Sequence, residues 1–233
     1  MQDSAAPVIT IDGPAGSGKG TIARQLASDL HYHYLDSGAL YRILALLSQR
    51  QNIDPQNGEA LVDLCQQMEV SFGFDAQDSS NLTTENVPVF LNESEVSEAL
   101  RTEECAARAS IVAAQPELRQ ALMNKQRSFR KFPGLVAEGR DMGTVVFPDA
   151  EYKFFLTASP NERALRRQKQ LKKQGISASL GSLLKDIETR DSRDQDRKVS
   201  PLRPATDALL VDSTTLSVEQ VVNRITEQVC GRQ

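Results

Sequence analysis

Three observations predict an α/β fold for this 233-residue chain. Short apolar strands alternate with amphipathic helical segments, a glycine-rich loop joins the first strand to the first helix, and no linker or repeat divides the chain. The expected architecture is a five-stranded, mostly parallel sheet flanked by helices, with a small antiparallel β insert. At this length one domain with an insert is the natural organisation.

The elements follow in order. Val8, Ile9 and Ile11 predict a buried strand that Asp12-Gly13-Pro14 stops. From Lys19 onward the spacing of Ile22, Leu26 and Leu30 is helical. Tyr32 to Leu35 reads as a second strand. Ser37 is expected to cap the next helix, whose apolar face is Leu40, Ile43, Leu44 and Leu47. A helix over 57–67 precedes three β-rich strings, VSFGF, NLTT and VPVFLN, which predict the insert. Two helices are expected over 102–114 and 116–129, with Pro116 opening the second. Strands at 135–138 and 153–157 follow, and Ser159 to Glu162 spells a capping box with Pro160 at the first helical position. That helix breaks at Gly175. Another covers 180–190, a last strand covers 208–212, and Ser217 with Gln220 caps the closing helix.

Charge narrows the partners. Residues 54–104 hold twelve acids and one base, Arg101, a net of −11, whereas the rest of the chain carries +7. An acidic protein with a positive remainder suits small polyanions rather than nucleic-acid polymers. The longest clean apolar run, Ile43 to Leu47, is far short of a membrane span, and the first residues lack signal-peptide character. A cytosolic protein, off the membrane, is expected. Cys65, Cys105 and Cys230 are odd in number and widely spaced, which suits reduced, idle thiols.

The loop carries the chemistry. Gly13, Gly18 and Lys19 fit G-x-x-x-x-G-K in strand–loop–helix context. Its glycines let successive N–H groups point inward, the helix start adds its dipole, and Lys19 adds charge, which together make a phosphate cradle. The hydroxyl that follows this Lys in most such loops and ligates Mg²⁺ is replaced by Gly20, with Thr21 one place later. The ending resembles the G-K-G-T of nucleoside monophosphate kinases.

Arginines gather in expected loops: Arg42, Arg140, and Arg190, Arg193 and Arg197 within TRDSRDQDR. Guanidinium forks grip phosphate in two contacts, so such clusters suit phosphoryl transfer. Arg140 follows a buried strand inside a glycine-bounded loop, where open α/β sheets bind ligands. TRDSRDQDR reads equally as a helix face of alternating charge. The basic run Arg163 to Lys173 is either one side of a lid hinged at Gly175 or a plain cationic helix. His31 and His33 alternate on a strand and are read as structural. No general base is needed if the acceptor is a phosphate dianion; an alcohol acceptor would call on a carboxylate such as Asp36 or Asp141.

Together GPAGSGKGT, LDSGALYR, EGRDMGT and TRDSRD resemble the bacterial cytidylate kinases, and the motifs span residues 13 to 197. The resemblance implies a P-loop kinase fold with a short lid, and transfer of the ATP γ-phosphate to CMP or dCMP with Mg²⁺. It implies a core of about 7–36, 102–158 and 180–233, a monophosphate-binding region of about 37–101, and a lid of about 163–179. Gly13, Pro14, Ala15, Gly16, Ser17, Gly18, Lys19, Gly20 and Thr21 would cradle ATP, with Lys19, Arg140 and Arg197 catalytic. Arg42, Arg140 and Arg197 would hold the acceptor phosphate. Ser110, Arg119 and Asp141 would read cytosine, Asp194 with Arg190 would hold the sugar, and Ser37 would line the pocket. Glu138 stands where some relatives have Asp. A monomer is expected. The alternatives are a kinase of another monophosphate and a nucleotide-dependent switch, which would lack its N-K-x-D and D-x-x-G elements here.

Overall fold

The computed structural model describes residues 5–73, 87–173, 175–196 and 200–231. Strand β1 (Val8–Asp12) is buried along its whole length, as an apolar, β-branched run in the middle of a sheet must be. It pairs in parallel with β7 (Tyr152–Thr157), Ile9 opposite Tyr152 and Asp12 opposite Phe155. Strand β7 pairs in parallel with β8 (Leu209–Asp212), Thr157 opposite Asp212. With β2 (His33–Asp36) and β6 (Leu135–Gly139), the sheet order is β2-β6-β1-β7-β8. A second sheet of three antiparallel strands, β3 (Val70–Phe72), β4 (Val89–Leu91) and β5 (Ser94–Glu95), is the expected insert. The string NLTT lies outside the described residues, and β5 follows the turn Asn92-Glu93, where both residues have positive φ.

Two compact units divide the chain. In the unit of Val8–Leu26 and Val136–Gln233, the loop after β1 leads into α1 (Lys19–Leu30). Here α7 (Pro160–Lys173) packs on α8 (Leu180–Gln195), and α9 (Val218–Cys230) closes the chain. A single π-helical turn over Met142–Val146 lies against β1 and was not foreseen. Such turns recur at functional sites.

In the unit of Met1–Pro7 and Ala27–Leu135, α2 (Ser37–Arg50) packs on α5 (Glu103–Val112), and α3 (Gly58–Gln67) packs on α6 (Pro116–Arg127). A four-residue helix, α4 (Ser97–Leu100), precedes α5. Leu40, Ile43, Leu44, Leu61, Leu118 and Leu122 form its core.

Three local expectations are corrected. The cap of α2 is Asp36, whose carboxylate accepts the Ala39 N–H at 3.1 Å; Ser37 is already helical. At α7 Ser159 Oγ accepts the Glu162 N–H, but the reciprocal half of the box is not made. The Ser159 N–H goes to Thr214 Oγ1 and the Glu162 carboxylate to Arg166. Helix α8 runs to Gln195 rather than 190, so the TRDSRDQ stretch is helical. Around Ser217 both halves of the capping box are present.

Among the described residues no helix is long and apolar enough to cross a membrane, and no cluster of metal-ligand side chains occurs. Cys65 and Cys105 are buried free thiols, and burial pushes both above the usual thiol range.

Candidate active site

The phosphate loop is shaped by close approach. A Cβ on Gly13 would stand 2.0 Å from the Leu156 carbonyl oxygen, so only glycine lets β1 turn beside β7 here. Gly16 and Gly18 take φ of 77° and 91°, the left-handed conformations that turn backbone N–H groups inward. Lys19 folds back so that Nζ donates to the Pro14 carbonyl at 3.2 Å. Ser17 Oγ is buried and makes no hydrogen bond.

At Gly20 a side chain would meet charged groups. A Cβ there would lie 2.8 Å from Glu138 Oε1 and 3.1 Å from Arg24 Nη1. The carboxylate of β6 therefore occupies the space in which a Ser or Thr side chain would begin. Glu138 is itself 5% exposed.

Two arginines hold the loop from α7. Arg163, 3% exposed, donates to Ala15 O at 3.1 Å and Ala158 O at 3.0 Å and makes a bidentate pair with Asp191 of α8, at 3.0 and 2.5 Å. Arg166 donates to Ser17 O at 3.1 Å and to Ser213 O at 2.6 Å, while the single Ser213 hydroxyl proton is shared between Ser17 O and Thr157 O. The loop backbone is thus fastened to the ends of β7 and β8. Neither arginine had been singled out within the basic run, since nothing in its spacing separates them from Lys169, Lys172 and Lys173, which are exposed. A cavity of about 420 Å³ lies beside this cluster, lined by Pro14, Thr157, Ser159, Arg163, Asp191 and Leu202 among others.

The loop after β6 brings further expected residues into this unit. Arg140 Nε donates to Asp194 Oδ2 at 2.5 Å, and its Nη1 donates to the Gly13 carbonyl at 3.1 Å. Asp141 follows, 6% exposed, just before the π-helical turn. Asp12, at the end of β1, accepts N–H bonds from Met142 at 2.9 Å and Gly143 at 2.8 Å. Its pKa is pushed up to about 6, first by burial and also by Asp141, against the pull of those two N–H groups and of Lys19. Arg190 is exposed on α8, and Arg197 lies outside the described residues.

The other expected residues lie in the first unit and are placed among themselves. Arg42 of α2 donates to the Leu100 carbonyl at 2.6 Å. Arg119 of α6 lies over the Tyr41 ring, 5.8 Å from its centroid, and donates to Ala113 O. Ser37 is buried at the start of α2. Ser110 is exposed on α5 and its hydroxyl donates to Ala106 O, one turn back. Tyr41, beside Arg42 in LDSGALYR, is thus the ring that supports Arg119.

The chain matches the family model described as cytidylate kinase over residues 9–230. It is 52% identical over 226 residues to the cytidylate kinase of Nitrosococcus oceani, covering 97% of each chain. It is 53% identical to that of Stutzerimonas stutzeri, over 97% of this chain and 96% of the relative. The cytidylate kinase of Escherichia coli K12 is 51% identical over 219 residues, 94% of this chain and 93% of its own.

Proposed function

The chain belongs to the cytidylate kinase family, and from that premise we propose that it transfers the γ-phosphate of ATP to CMP and dCMP, giving CDP and dCDP. The observation that carries the reading is the hydrogen bond from Arg140 to the Gly13 carbonyl. It fastens a phosphate-gripping guanidinium of the acceptor set to the backbone of the donor loop. Alignment of donor and acceptor is most of what phosphoryl transfer asks of a protein.

On this reading the N–H groups of Gly13 to Thr21 bind the ATP phosphates, and Lys19 leaves the Pro14 carbonyl to neutralise them. Arg42, Arg140 and Arg197 orient the acceptor phosphate for in-line attack. That phosphate is a dianion at neutral pH and attacks without a general base. Mg²⁺ would come with ATP and would supply charge neutralisation, with the Glu138 carboxylate beside Gly20 as the group of this chain that would hold it. With no hydroxyl at position 20, that contact would run through water.

Asp141, with Arg119 and Ser110, reads the base. A carboxylate accepts the cytosine amino group and repels the uracil carbonyl in its place. Asp194 and Arg190 hold the sugar, and Ser37 lines the pocket. Residues 37–101 serve the acceptor and 163–179 the lid, of which Arg163 and Arg166 form the fixed root because both are bound to the loop. The expected state is a monomer in the cytosol, acting on free nucleotides and not on nucleic-acid polymers.

Chromatographic identification of products from ATP, Mg²⁺ and CMP tests the reading, with Lys19→Ala as control. CDP and ADP in equal amounts support it, with turnover by the variant falling about 100-fold or more. Release of phosphate without CDP, or an unimpaired Lys19→Ala, overturns it.

A further inference from the structure

No role assigned so far uses the side chain of Asp12. It ends β1 and is 4% exposed, so a charge here is carried at the cost of desolvation. Its two oxygens are each occupied by a backbone donor, Oδ1 by Met142 N–H and Oδ2 by Gly143 N–H. Those amides come directly after Asp141, which has φ −144° and ψ 21°, and they open the π-helical turn. The approach is tight: a Cβ on Gly143 would stand 2.8 Å from Thr10 Oγ1 of β1. One residue beyond Asp12, Gly13 O accepts from Arg140. Residues 140–143 are therefore tied to residues 12–13 on both sides of Asp141.

We propose that Asp12 is a positioning residue for the acceptor, its carboxylate setting where Arg140 and Asp141 stand relative to the phosphate loop. The proposal rests on the kinase reading for its consequence, though not for the contact itself. Here each of the two adjacent N–H donors meets its own carboxylate oxygen, whereas Asn would offer one oxygen and set an NH₂ against the second donor. The ionised form makes both bonds. Burial and Asp141 oppose ionisation, while Lys19 and the two amides favour it, so the bracket is complete at neutral pH and weakens below about 6.

Asp12→Asn tests this. The expected result is a fall of about tenfold or more in kcat/KM for CMP, with KM for ATP within about twofold of wild type. The pH profile separates positioning from plain structure. The CMP phosphate itself gains a proton near pH 6, so log kcat/KM for wild type steepens toward a slope of two below that pH, and Asp12→Asn keeps a slope of one. Hydrogen exchange of the Met142 and Gly143 amides, slow in wild type, is expected to quicken by about tenfold in the variant.

If Asp12→Asn does not fold, Gly143→Ala displaces the same amides by its contact with Thr10 Oγ1. It is expected to give the same loss toward CMP, and Thr10→Ala added to it is expected to restore part of the activity. Unchanged kinetics and exchange in Asp12→Asn overturn the proposal, as does equal loss toward ATP and CMP with a lowered melting temperature. A wild type that phosphorylates no CMP overturns the kinase reading alone, and the exchange rates then decide whether Asp12 holds the loop.

Discussion

Arg140 and Asp194 form an ion pair of 2.5 Å in which the carboxylate side chain is 2% exposed and the guanidinium 16%. The residue expected to grip the acceptor phosphate is thus bound to the residue expected to hold the sugar. A carboxylate so buried depends on its partner, because removing one member of a buried pair leaves the other uncompensated. With the bond to the Gly13 carbonyl, the pairing also holds Arg140 beside the loop.

Asp194→Asn should therefore affect both stability and binding. The expected loss is about 2–3 kcal/mol, or about 5–10 °C in melting temperature for a chain of this size. KM for CMP should rise more than KM for ATP. Thermal melting and steady-state kinetics check the two effects separately.

Gly20→Ser restores the hydroxyl usual in such loops and should nonetheless damage this one, since its Cβ meets Glu138 Oε1. The expected outcome is a rise in KM for ATP of about tenfold or more, on the scale of a displaced charged contact. Glu138→Asp withdraws the carboxylate by one methylene, so the double variant should regain part of the loss. An ATP titration of the three proteins decides it.

Arg163→Gln removes the bidentate partner of Asp191 and the donor to Ala15 O. With Arg163 3% exposed, the loss should be about 3–5 kcal/mol, seen as a lowered denaturation midpoint. Loop geometry should suffer with it, so ATP affinity should fall as well. Lys169→Gln, on the exposed part of the same helix, should leave stability within about 0.5 kcal/mol of wild type.

Asp12 gives stability a pH dependence of definite sign. Its folded pKa, about 6, lies above the ordinary value of 3.8, so the folded state binds the extra proton between these limits. The stabilisation is complete below about pH 4 and lost as pH rises through about 6, a change of about 2–3 kcal/mol. The melting temperature of wild type relative to Asp12→Asn should fall steadily across that window. A flat difference would show that the group is not shifted.

Much of this was legible in the sequence, for identifiable reasons. Val8 to Asp12 and the G-x-x-x-x-G-K spacing fixed the strand–loop–helix unit because burial and glycine conformation act locally. Pro116 and the Ser217–Gln220 box marked helix starts through the same short-range chemistry. What stayed hidden depends on partners distant in sequence. Whether Ser159 completes a box was decided by Thr214, 55 residues away, and the Arg163–Asp191 pair joins positions 28 apart on two helices. Asp12 reaches over 130 residues to Met142. Gly20 reads as a departure in the sequence, but the carboxylate of Glu138 beside it is brought there only by the fold.

The phosphate loop and the Arg140–Asp194 set are proposed to serve a cytidine monophosphate acceptor. The most direct test is the rate of ADP formation from ATP and Mg²⁺ with CMP, dCMP, UMP, AMP and GMP offered one at a time. High rates are expected with CMP and dCMP, a lower rate with UMP, and little with either purine nucleotide. A preference for AMP or GMP, or no transfer to any of the five, would contradict it.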